Sequence, residues 1–203
     1  MIKRRATPEA RRSQIIAAAD LVLLEVGIDR FTVDQVIDKA KIAKGTIYNY
    51  YKDKDEMLAE LGFKALSILY KSFKKAMQAH ESSIDKVKAI CKANYKYYKK
   101  YPQYFELISY MERPEFNINT NDYLKLSEDF TQMVICVVSE GEKKGEIRES
   151  LDPQTITYII WACCIGVVQF VETKKKLLKK HHEINTEQMV DTFAEMITEG
   201  MRA

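Results

Sequence analysis

The stretch Phe31 to Leu58, FTVDQVIDKAKIAKGTIYNYYKDKDEML, decides how this chain folds. Thr32-Val33-Asp34-Gln35 is a capping box, and Phe31 and Val36 stand where a hydrophobic staple closes around a helix start. The helix they open is short, because Lys39-Ala40-Lys41 leads to a break near Ile42. A second short helix is expected over Ala43 to Tyr50. Asp53-Lys54-Asp55-Glu56 is another capping box, opening a long helix with Met57, Leu58, Leu61 and Leu69 inward. Upstream, Thr7-Pro8-Glu9 places a cap, a first-turn Pro and an acid in the order a helix start favours. Ile15, Ala19, Val22 and Val26 follow at helical spacing, and Gly27 stops the helix. One longer helix, then two short ones across a tight turn, make a helix-turn-helix unit, whose second helix enters a DNA major groove. The exposed face expected there is Lys44, Gly45, Thr46, Tyr48 and Asn49, with Ile47 and Tyr51 anchoring it inward. A Gly inside a helix costs about 1 kcal/mol against Ala. Gly45 therefore implies close approach of another backbone, here the sugar-phosphate chain.

Outward from this stretch the hydrophobic period stays helical. Ser83 to Lys100 carries Ile84, Val87, Cys91, Tyr95 and Tyr98 on one face. Pro102 starts a short helix to Met111, and an Asn-rich loop follows from Pro114 to Asn121. Asp122 to Lys144 carries Tyr123, Phe130, Val134 and Val137 and ends at Gly145. Asp152-Pro153 caps a helix to Lys180. Asn185-Thr186 starts the last, with Met189, Val190, Phe193 and Ile197 inward.

Composition sets the bounds. At 203 residues, 46% hydrophobic and 30% charged, the chain can bury a core and is not a disordered one. Seven Gly and four Pro are too few for a many-turned β-sandwich. The net charge of +3 is unevenly spread. Residues 1–54 hold 11 Lys/Arg against 7 Asp/Glu, and residues 55–203 hold 21 against 22. A basic head before a near-neutral body points to nucleic acid. Lys3-Arg4-Arg5 and Arg11-Arg12 read either as an arm gripping DNA or as a solvated end. The longest run without polar or charged residues, Tyr158 to Val168, has 11, short of the roughly 20 a bilayer requires. No membrane partner is therefore expected. Met1-Ile2-Lys3-Arg4-Arg5 does not open a signal peptide, and the four Cys lack CxxC spacing. A cytoplasmic protein with reduced thiols is expected.

Residues 8–60 closely resemble the DNA-binding domain of the TetR family of one-component regulators. The resemblance rests on Thr32, on Lys44-Gly45-Thr46-Ile47-Tyr48-Asn49-Tyr50-Tyr51 and on Lys52-Asp53-Lys54. Short later features, Tyr101-Pro102-x-Tyr104-Phe105 and Gly141-x-x-x-Gly145-Glu146-Ile147-Arg148 with Asp152-Pro153, also match. The chain departs from the pattern at Ala40-Lys41, where Ala-Gly is usual, at Ala43, where Ser is usual, and at Asn49, where an aromatic is common.

The resemblance implies an all-α fold. A three-helix DNA-binding domain, residues 1–54, would be joined by a helix to a ligand-binding and dimerisation domain, residues 55–203. It implies DNA contacts from Thr32, Lys44, Gly45, Thr46, Tyr48, Asn49, Tyr50 and Lys54, with Thr32, Tyr48, Tyr50 and Lys54 on phosphates. A ligand pocket would be lined by Tyr95, Tyr98, Phe105, Ile108, Met111, Phe130, Met133, Trp161 and Cys164. These residues read equally as a filled core. They suit a lipophilic or aromatic effector. A homodimer would pair its last two helices through Ile156, Ile160, Val167, Val171, Val190, Phe193 and Ile197, unless these bury within one subunit. The implied function is a repressor on a palindromic operator, released when a ligand moves the helix after Asp53.

Other classes of function fit less well. No phosphate loop, HExxH or Gly-x-Ser-x-Gly occurs, so neither an enzyme nor a cofactor is expected. His181 and His182 are adjacent on a helix, about 100° apart, and do not prepare a metal site. Cys163-Cys164 keeps open a thiol-redox regulator, although vicinal Cys on a helix form strained disulfides. A helical adaptor without DNA contact is the third alternative.

Overall fold

Side-chain caps set where the helices begin. Thr7 accepts from Ala10 N at 3.2 Å to open α1, Pro8–Val26. Thr32 accepts from Gln35 N at 3.3 Å while Gln35 Oε1 accepts from Thr32 N at 2.9 Å, the full capping box of α2, Val33–Ala40. The reading helix α3 is only Lys44–Tyr48, shorter than its sequence suggests. Asp53 Oδ1 accepts from Glu56 N at 3.0 Å at the start of α4, Lys54–Met77. Glu56 reaches back to Lys52 N at 2.6 Å, one residue earlier than a regular box. Then come α5 (Ser83–Lys100), α6 (Pro102–Met111), α7 (Asn121–Lys143), α8 (Pro153–His182) and α9 (Thr186–Glu199). The computed structural model describes residues 7–116 and 120–203, and of His181 and His182 the backbone alone. Lys3-Arg4-Arg5 lies outside these residues. Among the described residues no strand forms, only an isolated bridge between Ile147 and Arg202.

The helices build two compact units, Met1–Ser67 with Tyr101–Leu126, and Ile68–Lys100 with Ser127–Ala203. In the first, α1 buries Ile15, Ala19, Val22 and Leu23, α2 buries Val36 and Ala40, and α4 adds Met57, Leu58 and Leu61. The unit also takes in α6, with Tyr104, Phe105, Leu107, Ile108 and Met111 buried. A Cβ on Gly62 would overlap the sulfur of Met111, so glycine there lets α4 and α6 approach closely.

The second unit packs Ile84, Val87 and Cys91 of α5 against Val137, Val138, Ile147, Ile160, Cys164, Ala194 and Met201. The motif from Gly141 to Arg148 is its clasp. Gly145 turns the chain at φ +70°. Glu146 Oε2 then accepts from Ser82 Oγ at 2.8 Å and Ser83 N at 2.6 Å, capping α5. The side chain of Arg148 donates to Gly200 O, and Arg148 N to Met201 O at 3.0 Å.

These bonds, that from Ser82 foremost, hold the Glu146 carboxyl below its ordinary value. A carboxylate whose pKa is lowered by folding stabilises the native state above its unfolded pKa, and that contribution is lost as pH falls through the lowered value. Glu146→Gln removes the charge-dependent part. The gap in melting temperature between the natural protein and this variant should narrow from about pH 6 to about pH 3. A gap constant across that window in thermal melts would assign the cap no role for charge.

One expectation fails here. By length and composition α8, over Pro153–Lys180, is apolar enough to cross a bilayer. A run broken only by uncharged Thr and Gln still meets that criterion, which counting strictly apolar residues overlooked. In this fold Thr157, Ile160, Cys164, Val168 and Val171 turn one face of α8 into the second unit. Tyr158, Ile159, Phe170 and Leu177 remain exposed.

Candidate nucleic-acid interface

The reading helix is held from beneath. Ile47 and Tyr51 are buried, at 0% and 1% exposure. Tyr51 Oη donates to Glu60 Oε2 at 2.8 Å, and the Arg12 guanidinium donates to the same oxygen at 2.7 and 3.1 Å. Glu60 on α4 thus ties α1 to the end of the reading segment. Burial first, and then the bond to Glu60, raise the Tyr51 phenol above its ordinary pKa, so it stays a donor. This clamp was not evident in the sequence, because its three members are far apart along the chain.

The turn before α3 keeps its shape without glycine. Lys41 adopts φ 53° and ψ 49°, the left-handed conformation that favours glycine, at the position where the resemblance implies Gly. Ala43 caps α3 without a side-chain bond, as the loss of Ser implied.

The eight expected contact residues divide by exposure. Thr32, Lys44, Gly45, Tyr48 and Asn49 are exposed, and Thr46, Tyr50 and Lys54 are half-buried. Lys44 Nζ lies 3.1 Å from Asp34 Oδ1 across the turn. The bond to Asp34 raises the Lys44 pKa and keeps it charged. A Cβ on Gly45 would meet nothing within 4 Å, so the chain's own packing does not demand glycine. Lys54 turns inward, with Nζ 3.4 Å from Ile28 O and above the rings of Phe31 and Tyr110 at 6.0 and 5.9 Å.

A second set of bonds ties α6 to the head. Asp20 of α1 accepts from Tyr104 Oη at 2.6 Å and from Lys64 Nζ at 2.5 Å. Lys64 also lies 5.5 Å from the Tyr104 ring centroid. The motif around Tyr101 to Phe105 therefore has a structural task, joining α1, α4 and α6.

The expected pocket residues fall in both units. Phe105, Ile108 and Met111 are buried in the first. In the second, Tyr95, Phe130 and Cys164 are buried, while Tyr98, Met133 and Trp161 are half-buried. Phe130 is the hub of an aromatic cluster, 5.0 Å from Phe73 and 5.4 Å from Trp161 between ring centroids. A cleft of about 650 Å³ along α5 and α9 is lined by Lys92, Tyr95, Lys96, Lys99 and Lys100 of α5 and by Glu187, Val190 and Asp191 of α9. Of the expected dimer residues, Ile160, Val171 and Val190 bury within the subunit and Ile156, Val167, Phe193 and Ile197 partly so. Met196 on α9 is 70% exposed, and belongs to the same unit as the exposed Tyr158, Ile159, Phe170 and Leu177 of α8. Among the described residues no cluster of His, Cys, Asp and Glu suits a metal.

Residues 15–61 match the family described as bacterial regulatory proteins, tetR family. The HTH-type transcriptional repressor KstR2 of Mycolicibacterium smegmatis is 20% identical over 71% of each chain. The fatty acid metabolism regulator protein of Bacillus subtilis is 22% identical over 73% of this chain and 76% of its own. Among solved structures, the transcriptional regulator FadR from Bacillus subtilis in complex with stearoyl-CoA matches with a TM-score of 0.73. It is 17% identical and covers 94% of this chain and 100% of its own.

Proposed function

We propose, from the premise that this chain belongs to the TetR family of bacterial regulatory proteins, that it is a cytoplasmic homodimeric repressor which an acyl-CoA-like effector releases from its operator. DNA-binding transcriptional regulation is the family's activity, and it is not an enzymatic one. The observation that carries the proposal is the exposed face of Lys44, Gly45, Tyr48 and Asn49 on a helix pinned by buried Ile47 and Tyr51. Thr32, Thr46 and Tyr50 would complete the contact set. Lys54 would first have to leave Ile28 to reach a phosphate. Gly45, free of any neighbour in the chain, suits close approach of a DNA backbone. Selection of bound fragments from random DNA tests this: a recovered palindrome supports it, and no fragment bound at low salt favours an adaptor.

A division of labour between residues 1–54 and 55–203 is part of the proposal. Two reading helices must sit about 34 Å apart to meet successive half-sites. The partner proposed is a second copy, docking on Tyr158, Ile159, Phe170, Leu177 and Met196. An acyl tail suits the aromatic cluster around Phe130, and Lys96, Lys99 and Lys100 suit phosphate groups, while Lys92 is held by Asp191 at 2.8 Å. The similar Bacillus subtilis proteins, a fatty acid metabolism regulator and FadR in complex with stearoyl-CoA, point to the same class.

Release requires that the ligand favour one head arrangement over another. Movement of α4 would strain the bonds from Asp20 to Lys64 and Tyr104. Tyr104→Phe deletes one bond to a charged, largely buried acceptor, worth about 1.5–3 kcal/mol. The half-release concentration of effector should shift at least about threefold, with operator affinity in its absence changed less. Fluorescence anisotropy on labelled operator measures both, and equal release curves would remove Tyr104 from the coupling.

The redox alternative gains no support. The Cys164 thiol is buried, and its hydrogen bond with Cys91, followed by burial, raises its pKa well above the ordinary value. Thiolate is the reactive form, so this site is chemically quiet.

A further inference from the structure

A buried amide on α5 has no partner in the chain. Asn94 is 0% exposed, and neither its Nδ2 nor its Oδ1 makes a hydrogen bond. It extends the stripe Ile84, Val87 and Cys91, which α5 turns into the core of the second unit. Two contacts bracket its level. Cys91 meets Cys164 on α8, and Tyr95 Oη donates to Glu172 Oε1 at 3.4 Å. Between those α8 positions lie Val168 and Val171, both buried.

Two other buried hydroxyls of this unit, those of Thr157 and Thr198, close onto their own helix, while that of Ser83 at the start of α5 also has no partner. Thr157 Oγ1 donates to Pro153 O at 2.8 Å and Thr198 Oγ1 to Ala194 O at 2.8 Å. An amide cannot do so easily, and each unpaired buried group costs about 1–3 kcal/mol. Leucine has the same branched side-chain skeleton, is apolar, and would incur no such cost. A partner from outside the chain accounts for an amide at this position.

We propose that Asn94 is the polar anchor of the effector site. Its Nδ2 donates to a ligand carbonyl, and its Oδ1 accepts from a nearby N–H or O–H on the same ligand. The class is an apolar-tailed acyl compound. A neutral carboxylic acid supplies both groups at once. An acyl thioester supplies the carbonyl, with an amide N–H from its carrier. A plain hydrocarbon supplies neither. The inference rests on the reading of the body as an acyl-effector domain and names the residue that would recognise the head.

The test uses the full-length protein and its single Trp, Trp161, whose ring lies 5.4 Å from Phe130. Quenching is titrated with stearoyl-CoA, stearic acid and octadecane, with melting temperature measured beside it. The natural protein should bind one of the acyl probes at least about tenfold more tightly than the hydrocarbon. Which acyl probe does so separates the free acid from the thioester. Asn94→Leu should lose that preference while its melting temperature in the empty state holds or rises, because an unpaired amide has gone. Asn94→Asp, of the same shape without the N–H donor, should lose thioester binding as well. Acyl binding unchanged in both variants overturns this inference and leaves the acyl reading intact. If the natural protein binds none of the three probes but still binds DNA, the acyl class falls and this inference with it.

Discussion

Lys44→Ala and Tyr48→Ala should each weaken operator binding by about 1–3 kcal/mol, roughly 5- to 150-fold at fixed salt. Tyr48 is 48% exposed in the free protein, so its removal leaves the fold of the head intact. Lys44 is likewise exposed, paired only with exposed Asp34 at 3.1 Å. Salt dependence separates their roles. Loss of a phosphate contact reduces the salt slope by about one, and loss of a base contact leaves it alone while relaxing sequence preference. Titration of each variant on the selected operator at several salt concentrations measures this. Asp34→Ala is the control, because it frees Lys44 without removing it. Affinities unchanged in both variants would show that α3 does not enter the groove.

Gly141→Ala should be the most damaging single methyl in the second unit. An added Cβ would lie 2.6 Å from Ile147 Cδ1 and 2.7 Å from the Cβ of Ser83. Ile147 is 1% exposed and Ser83 is 0% exposed, so neither has room to yield. The Ser83 Cβ sits on backbone that Glu146 already holds at 2.6 Å. Overpacking of this kind costs about 1–3 kcal/mol. For a chain of this size each kcal/mol lowers the melting temperature by about 2–4 °C. Calorimetry should find the loss, and Gly166→Ala, where a Cβ meets nothing within 4 Å, should show none. Equal melts for the two variants would mean that the clasp moves aside freely.

The contrast between Gly141 and Gly45 explains what could be read in advance. A glycine in a helix announces close approach but not its partner. Gly141 faces its own chain, and Gly45 faces open space. Helix starts were legible because capping is local: Thr32 with Gln35 and Asp152 with Thr155 act across three residues. The expected dimer stripe was less legible. Periodicity marks an apolar face on α8 but cannot divide it between Ile160 and Val171, which turn inward, and Tyr158 and Phe170, which remain outside. In the sequence the stripe of α5 reads through Tyr95 and Tyr98 and passes over Asn94, and only packing leaves its amide without a partner.

The residues from Thr32 to Lys54, read by themselves, carried the helix-turn-helix, the family resemblance and the expectation of a DNA partner. Their caps, anchors and exposed face all act within a few residues of one another. Only the tertiary structure decided that Glu60 clamps Arg12 and Tyr51, that Asp20 gathers Lys64 and Tyr104, and that Lys54 turns inward. Those contacts join residues from 9 to 84 positions apart. Hydrophobic period and charge carry no record of such pairings, because each depends on how whole helices pack.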